Sequence, residues 1–222
     1  MRVDLHIMPL VGAPADWASH LGLVCPRYQE KASTKASEAT RLGEFAAGLL
    51  LASVLGVRRD EQLAIGPEGK PELAVGPSRI GLSHDDGMAV LAVAPGAIGV
   101  DVEEMPAQYG RLERDALRGV LSDKQVCRVE ASPDVPLAFA LAWTRVEATL
   151  KADGRGFAFD VRGGRLPEGW ETAHVLVDGH VVTCAAREEP AICVQRLGMR
   201  EAMALVFDSL LIAQKSRAAF HS

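Results

Sequence analysis

The hydrophobic pattern along the 222-residue chain changes period several times, and each change marks an element. The sharpest period-two stretch is Gly99-Val100-Asp101-Val102-Glu103, entered from Ala97-Ile98. Successive side chains of a strand point to opposite faces. Ile98, Val100 and Val102 therefore face a core. Asp101 and Glu103 share the other face, about 6.5 Å apart at ~3.3 Å per residue. Two like charges on one strand face need something positive between them: solvent, an Arg or Lys, or a divalent cation.

Upstream, Arg2 to Leu10 alternates and breaks at Pro9, which predicts an edge strand. Pro14 to Pro26 reads as irregular or as a short helix containing Trp17, and Tyr28 to Lys35 is polar and helix-compatible. Ser37 to Leu55 predicts a helix, because Phe45, Leu49, Ala52 and Leu55 recur at three or four residues and Gly56 terminates it. Gly66 to Pro71 is a turn-rich loop. Ile80 to His84 is a short strand, Asp85-Asp86-Gly87 a hairpin signal, and Met88 to Ala94 an apolar return strand. Pro95-Gly96 then turns the chain toward the opening motif. This order predicts Ser83-His84 and Asp101/Glu103 on neighbouring strands.

Downstream, Tyr109 to Val120 is a charged helix and Ser122 caps a short helix through Cys127. Leu137 to Ala152 lacks Gly and Pro and is rich in Ala and Leu, a longer helix ended by Asp153-Gly154-Arg155-Gly156. Phe157 to Val161 reads as a strand. His174 to Val177 and His180 to Ala186 flank Asp178-Gly179, a two-residue hairpin turn. Ala191 to Gln195 is a further strand, and Met199 to Ala219 is helix-compatible. The order predicts an α+β fold of two similar lobes, residues 1–97 and 98–222, meeting near 95–100 with a weak internal pseudo-repeat.

The apolar fraction of 48% supports a sizeable core. Net charge is −5, so non-specific attraction to nucleic acid or an anionic membrane is not expected. The four cysteines (Cys25, Cys127, Cys184, Cys193) form no CxxC and read as reduced thiols. The first residues carry no cationic stretch before an apolar run, and no segment reaches the ~18 apolar residues of a membrane span. The expectation is a soluble, cytoplasmic protein.

Trp143, Glu147 and Lys151 stand at i, i+4 and i+8 of the Leu137–Ala152 helix, near one face. Glu147–Lys151 is also a simple helix ion pair, and Trp143 a core residue. Arg145 lies on another face. Lys70 in Gly-Lys-Pro reads singly as a solvated charge, His84 as a satisfied histidine, and Lys31, Lys35 and Arg41 as a solvated basic cluster.

In chain order, however, Gly69-Lys70-Pro71, Leu82-Ser83-His84, Gly99-Val100-Asp101-Val102-Glu103 and Trp143-Thr144-Arg145-Val146-Glu147-Ala148-Thr149-Leu150-Lys151 form one set. Over residues 28 to 160 the sequence resembles the Sfp-type 4′-phosphopantetheinyl transferases, with Arg41 through Leu55 similar to their N-terminal helix. The resemblance implies two α/β lobes with coenzyme A (CoA) at their interface. It implies transfer of the 4′-phosphopantetheine arm of CoA to a serine of an apo acyl or peptidyl carrier protein, with release of adenosine 3′,5′-bisphosphate, by a monomeric enzyme. Asp101, Glu103 and Glu147 would hold Mg²⁺, a hard cation that prefers oxygen ligands. Lys151 would hold a pyrophosphate oxygen. Lys70, Ser83 and His84 would contact the CoA nucleotide or its phosphates, and Lys31, Lys35 or Arg41 the 3′-phosphate. Glu147, directly or through a metal-bound water, would be the base.

Three positions depart from the family pattern. Gln125 stands where many relatives have Glu, and an amide cannot act as a base. Val146 stands where a Lys is usual, and Gly48-Leu49 where Gly-Arg is usual. The family docks its carrier between residues 105 and 136; Arg111, Arg114, Arg118, Leu117 and Val120 have the apolar, cation-rimmed character that suits an acidic partner, and a solvated charged helix fits them as well. Two other functions share these residues: a CoA-binding protein without transferase activity, and a metal-dependent phosphohydrolase using the same carboxylates.

Overall fold

The computed structural model describes residues 1–66 and 68–219; Pro67, inside the predicted Gly66–Pro71 loop, lies outside them. The elements are β1 (Arg2–Pro9), a 3-10 helix at Trp17–Leu23, α1 (Pro26–Thr34), α2 (Glu38–Leu55), β2 (Leu63–Ile65), β3 (Pro71–Leu73), β4 (Arg79–His84), β5 (Met88–Ala94) and β6 (Ile98–Glu104). Then come α3 (Arg111–Val120), α4 (Asp123–Glu130), α5 (Val135–Asp153), β7 (Glu171–Val177), β8 (His180–Ala186), β9 (Ala191–Arg196) and α6 (Met199–Ala219).

Two sheets stack face to face, giving the α+β fold. One has the order β4-β5-β1-β9, the other β6-β8-β7. Their inner faces are the apolar halves of the alternating strands: Val3, Leu5 and Ile7 of β1, Val90 and Ala92 of β5, Val100 and Val102 of β6, and Val182 and Cys184 of β8 pack together. Helix α2 covers the outer face of the first sheet, with Phe45, Leu49 and Leu50 against Met8, Ala89 and Leu91. Helix α5 covers the second, with Ala148 and Ala152 against Ala185. Each long helix ends as its sequence predicts. The Ser37 hydroxyl accepts from the Thr40 N–H at the start of α2, and Gly56 and Gly154 take left-handed φ at the two C-termini.

Three expectations change. First, β1 is not an edge strand: it pairs antiparallel with β5 and parallel with β9. Pro9 permits this because the β9 ladder stops at Ile7, so the missing N–H of Pro9 falls beyond it. Second, Phe157 to Val161 is not a strand. A short 3-10 turn at Gly156–Ala158 follows Gly154 and Gly156, whose positive φ turns the chain away from the sheet. Third, Leu117 and Val120 are buried in the α3–α4–α5 core rather than exposed for a partner, while Arg111 pairs with Asp115 and Arg114 with Glu130. The turn signal at Gly66–Pro71 holds: that segment joins β2 to β3, which pair as a small hairpin. The Asp178-Gly179 turn forms as predicted, with φ of 49° and 80°. All four cysteines are free. Among the described residues no helix is long and apolar enough to cross a membrane.

Candidate active site

Strand β6 and helix α5 form the centre of the site, and Gly99 sets their separation. A Cβ there would clash with the Ala148 carbonyl and the Ala152 N–H. The helix backbone therefore rests on the strand at Ala148 and Ala152, and Lys151 is carried over Asp101. Lys151 Nζ stands 2.6 Å from Asp101 Oδ1 and donates to Ser83 Oγ at 2.9 Å; the Ser83 hydroxyl donates to Asp101 Oδ1, also at 2.9 Å. Three elements from three separate parts of the chain thus meet in one closed set of hydrogen bonds.

Ser83 and Asp101 do not reach each other as residues of neighbouring paired strands. Strand β4 belongs to the first sheet and β6 to the second. They come together because Gly81 lets β4 approach the β6 backbone, where a Cβ would sit 3.2 Å from Val100 N. The expected Glu147–Lys151 helix pair is also replaced: among the described residues the ion-pair partner of Lys151 is Asp101.

Negative charge is crowded here. Asp101 is buried, and its Oδ2 has no hydrogen-bond partner among the described residues. Burial pushes its carboxyl up, against the pull of Lys151 and Ser83. Burial, then Asp101, Asp85 and Glu147, push Glu103 up to about 7. Burial and Asp101 push Glu147 up as well. Lys151 is the cation that opposes these shifts at all three carboxyls.

Two clefts meet at Lys151. One, of about 200 Å³, is lined by Lys70, Pro71, Gly81, Leu82 and Lys151 among others. Lys70 donates to the Ile98 carbonyl at 3.0 Å, and burial lowers its pKa. The other, of about 210 Å³, is lined by Tyr28, Lys31, Glu44, Ser83, His84 and Lys151. Lys31 and Lys35 both turn onto Glu44, at 3.1 and 3.8 Å, and His84 Nε2 lies 3.9 Å from the same carboxylate. Arg41 stands apart: its guanidinium donates to the Lys35 carbonyl at 3.3 Å and so braces the α1–α2 linker.

The departures from the family pattern have local explanations. Leu49 is a fully buried core residue, where a charged head group has no place, and Val146 is an apolar buried residue at the wall of a cleft. Gln125 Oε1 accepts from the N–H and the hydroxyl of Ser122, at 2.9 and 2.6 Å, and so caps α4. Gln125, Arg145 and Val146 line a separate cleft of about 290 Å³ between α4, α5 and the Gly164 loop.

Sequence reasoning missed two groups. Glu44 is a buried acid in an otherwise apolar helical run, and its flanking glycines were the available signal: a Cβ at Gly43 would clash with the His84 ring, and one at Gly48 with Tyr28. The second is the buried His180 with the part-buried Asp85, 3.3 Å apart, joining the β4–β5 turn to β8. Nothing local in the sequence links residues 95 positions apart.

Residues 97–191 match the family model of the 4′-phosphopantetheinyl transferase superfamily. The match runs from the approach to β6 through α5 to the start of β9, so it contains Asp101, Glu103, Glu147 and Lys151 and lies C-terminal to Lys31, Glu44, Lys70 and His84. It supports phosphopantetheine transfer in general. Enzymes of that superfamily use CoA, typically with a divalent metal, and act on carrier proteins. No curated protein matches the chain.

The residues present suit a divalent ion by donor chemistry. Among the described residues Asp101 Oδ2 is a buried oxygen without a hydrogen-bond partner, and burial together with the neighbouring carboxylates holds the Glu103 and Glu147 carboxyls above their ordinary values. Among the described residues no three His, Cys, Asp or Glu side chains form a ready-made cage. Mg²⁺ needs none, since it commonly takes one or two carboxylates and completes its shell with phosphate oxygens and waters.

Proposed function

We propose that this protein is an Sfp-type 4′-phosphopantetheinyl transferase, Mg²⁺-dependent, which moves the phosphopantetheine arm of CoA to a serine of an apo acyl or peptidyl carrier protein. The observation that carries the reading is the carboxylate cluster of Asp101, Glu103 and Glu147, bonded through Asp101 to one lysine, at the junction of two cation-lined clefts. CoA lies between residues 1–97, which bring Lys31, Lys35, Lys70, Ser83 and His84, and residues 98–222, which bring Asp101, Glu103, Glu147 and Lys151.

In this reading the carrier serine oxygen attacks the β-phosphorus of the CoA pyrophosphate. The bond from that phosphorus to the bridging oxygen breaks, and adenosine 3′,5′-bisphosphate leaves. Lys151 holds a pyrophosphate oxygen, with Ser83 fixing its ammonium. Lys70 and His84 hold the nucleotide end, and Lys31 and Lys35 take the 3′-phosphate. Glu147, directly or through a metal-bound water, accepts the serine proton. Asp101, Glu103 and Glu147 would hold Mg²⁺, which supplies charge neutralisation at the pyrophosphate. Most of the rate comes from positioning and from groups already aimed at developing charge. The enzyme acts as a cytoplasmic monomer on carriers of polyketide, nonribosomal peptide or fatty acid synthesis.

The test is to incubate the protein with CoA, Mg²⁺ and several apo carriers and to seek a phosphopantetheine adduct by mass spectrometry. An adduct is expected on at least one. CoA bound normally with no adduct on any carrier sinks the transferase reading. Release of phosphate or phosphopantetheine without a carrier marks a hydrolase.

A further inference from the structure

We propose that Glu44 is a positioning residue: from its buried place on α2 it holds Lys31, Lys35 and His84 toward a phosphate monoester of the nucleotide in the cleft. The inference rests on the reading that this cleft takes CoA. It adds a residue outside the metal and pyrophosphate machinery, N-terminal to the matched family segment.

A carboxylate in the wall of an anion site looks out of place, since it repels the ligand. Three features give it a purpose. Its side chain is 8% exposed, whereas those of Lys31 and Lys35 are 40% and 46% exposed. The buried group is thus the anchor; Lys31 and His84 line the cleft with it, and Lys35 reaches the same carboxylate from the exposed side. Each ammonium has three N–H donors. One directed at Glu44 leaves others for a ligand, so a phosphate can bind without displacing the anchor. The charge sum is also favourable: two lysines against one glutamate leave an excess positive charge, and His84, when protonated, adds another.

The surroundings fit a built corner. Gly43 makes room for the His84 ring and Gly48 for Tyr28, so the end of β4 and helix α1 both close onto the Glu44 face of α2. Lys31 Nζ lies 5.1 Å over the Tyr28 ring. The Lys35 linker is braced by Arg41 and by the Ser37 cap of α2. His84 and Lys31 both depress the Glu44 pKa against the effect of burial, so the anchor stays ionised. Free lysine side chains are flexible, and ordering them costs binding free energy. Glu44 supplies that order before the ligand arrives.

The experiment compares adenosine 3′,5′-bisphosphate with adenosine 5′-monophosphate by titration calorimetry on wild type and Glu44→Gln. Wild type is expected to prefer the bisphosphate. E44Q makes the cleft more positive, yet the proposal expects it to bind the bisphosphate at least tenfold more weakly with the monophosphate unchanged. In turnover, KM for CoA should rise with kcat unchanged. Equal or tighter bisphosphate binding by E44Q overturns the proposal, because it makes Glu44 a bystander or a competitor for the lysines. If wild type binds neither nucleotide, the CoA reading itself fails and the proposal falls with it. If wild type binds and transfers while E44Q keeps its preference, only the proposal fails. Should E44Q not fold by circular dichroism, Glu44→Asp, which keeps the charge but withdraws it by one methylene, carries the test: the same loss of discrimination supports the proposal, and intact discrimination overturns it.

Discussion

Lys151 on α5 and Asp101 on β6 stand 2.6 Å apart, and the same ammonium reaches Ser83 on β4. This contact ties the long helix to both sheets at the point where the carboxylates gather. Lys151→Met would leave Asp101 buried without its cation. Leaving the buried Asp101 carboxyl without the Lys151 hydrogen bond should cost about 1–3 kcal/mol, and phosphopantetheine transfer should be lost. Adding Asp101→Asn should recover most of the stability, measured by urea denaturation, and none of the transfer. A K151M single variant as stable as wild type would show that the contact contributes nothing.

The strand–helix separation that permits this contact is set at Gly99. Gly99→Ala forces a methyl group into the α5 backbone, where no flexible side chain can yield. Overpacking of this kind costs about 3 kcal/mol or more. The variant should be insoluble or melt well below wild type, and any folded fraction should lose transfer as Lys151 moves off Asp101. A folded, active G99A at wild-type melting temperature refutes the close approach.

Glu103 predicts a pH-dependent stability that a bound cation should modify. Its pKa is raised to about 7 in the folded state, against ~4.3 unfolded. A raised carboxyl means the folded state binds the proton more tightly. Stability from this group is therefore fully present below about pH 4.3 and is lost as pH rises toward 7. Without divalent ion the melting temperature should drop over that range, and Mg²⁺ should raise it more at pH 8 than at pH 5. Glu103→Gln should flatten both dependences. A Mg²⁺ effect independent of pH, or unchanged in E103Q, counts against this account.

Asp85 and His180 add a second linkage with a different window. The Asp178 carbonyl can only accept, so His180 Nδ1 donates to it at 2.9 Å. Nε2 therefore carries a proton toward Asp85 only in the imidazolium form. Asp85 raises the His180 pKa, and burial opposes it; the Asp85 pKa is lowered by His180 and by the Gly87 N–H, against burial. The histidine contribution is present below about pH 6.5 and lost as pH rises through its folded value. The aspartate contribution is present above about pH 3.9 and lost as pH falls through its folded value. His180→Gln should thus cost most stability between roughly pH 4 and 6.5 and little at pH 9. A cost that does not vary with pH would mean that packing, not charge, matters there.

Gln125 is predicted to act on stability alone. Its carbonyl oxygen is engaged by Ser122 at the start of α4. Gln125→Ala should cost about 1 kcal/mol, the usual loss of a helix cap, with transfer rate unchanged. A large fall in kcat with stability intact would place Gln125 in the reaction instead.

Much of the fold is legible in short-range pattern. The alternation at Ile98 to Glu103, the capped helices from Ser37 and toward Gly154, and the Asp178-Gly179 turn all depend on residues a few positions apart, and all form. Phe157 to Val161 fails because apolar content suggests a strand even where positive-φ glycines divert the chain. The role of β1 fails for a different reason. Its second neighbour, β9, comes from residues 191–196, and no local signal announces a parallel pairing across that distance.

The same division runs through the site. The sequence by itself determined which groups are available: two carboxylates on one strand face, a glutamate and a lysine one turn apart on one helix face, and a basic cluster ahead of α2. Periodicity is a local property, so it fixes faces within an element. It does not fix which element lies opposite. Tertiary structure decided that Lys151 serves Asp101 rather than Glu147, that Ser83 joins them from the other sheet, and that Lys31, Lys35 and His84 converge on a buried glutamate. The physical reason lies in close approach. Bare backbone at Gly99, Gly81 and Gly43 lets helix, strand and imidazole come near enough for charges far apart in the chain to become partners.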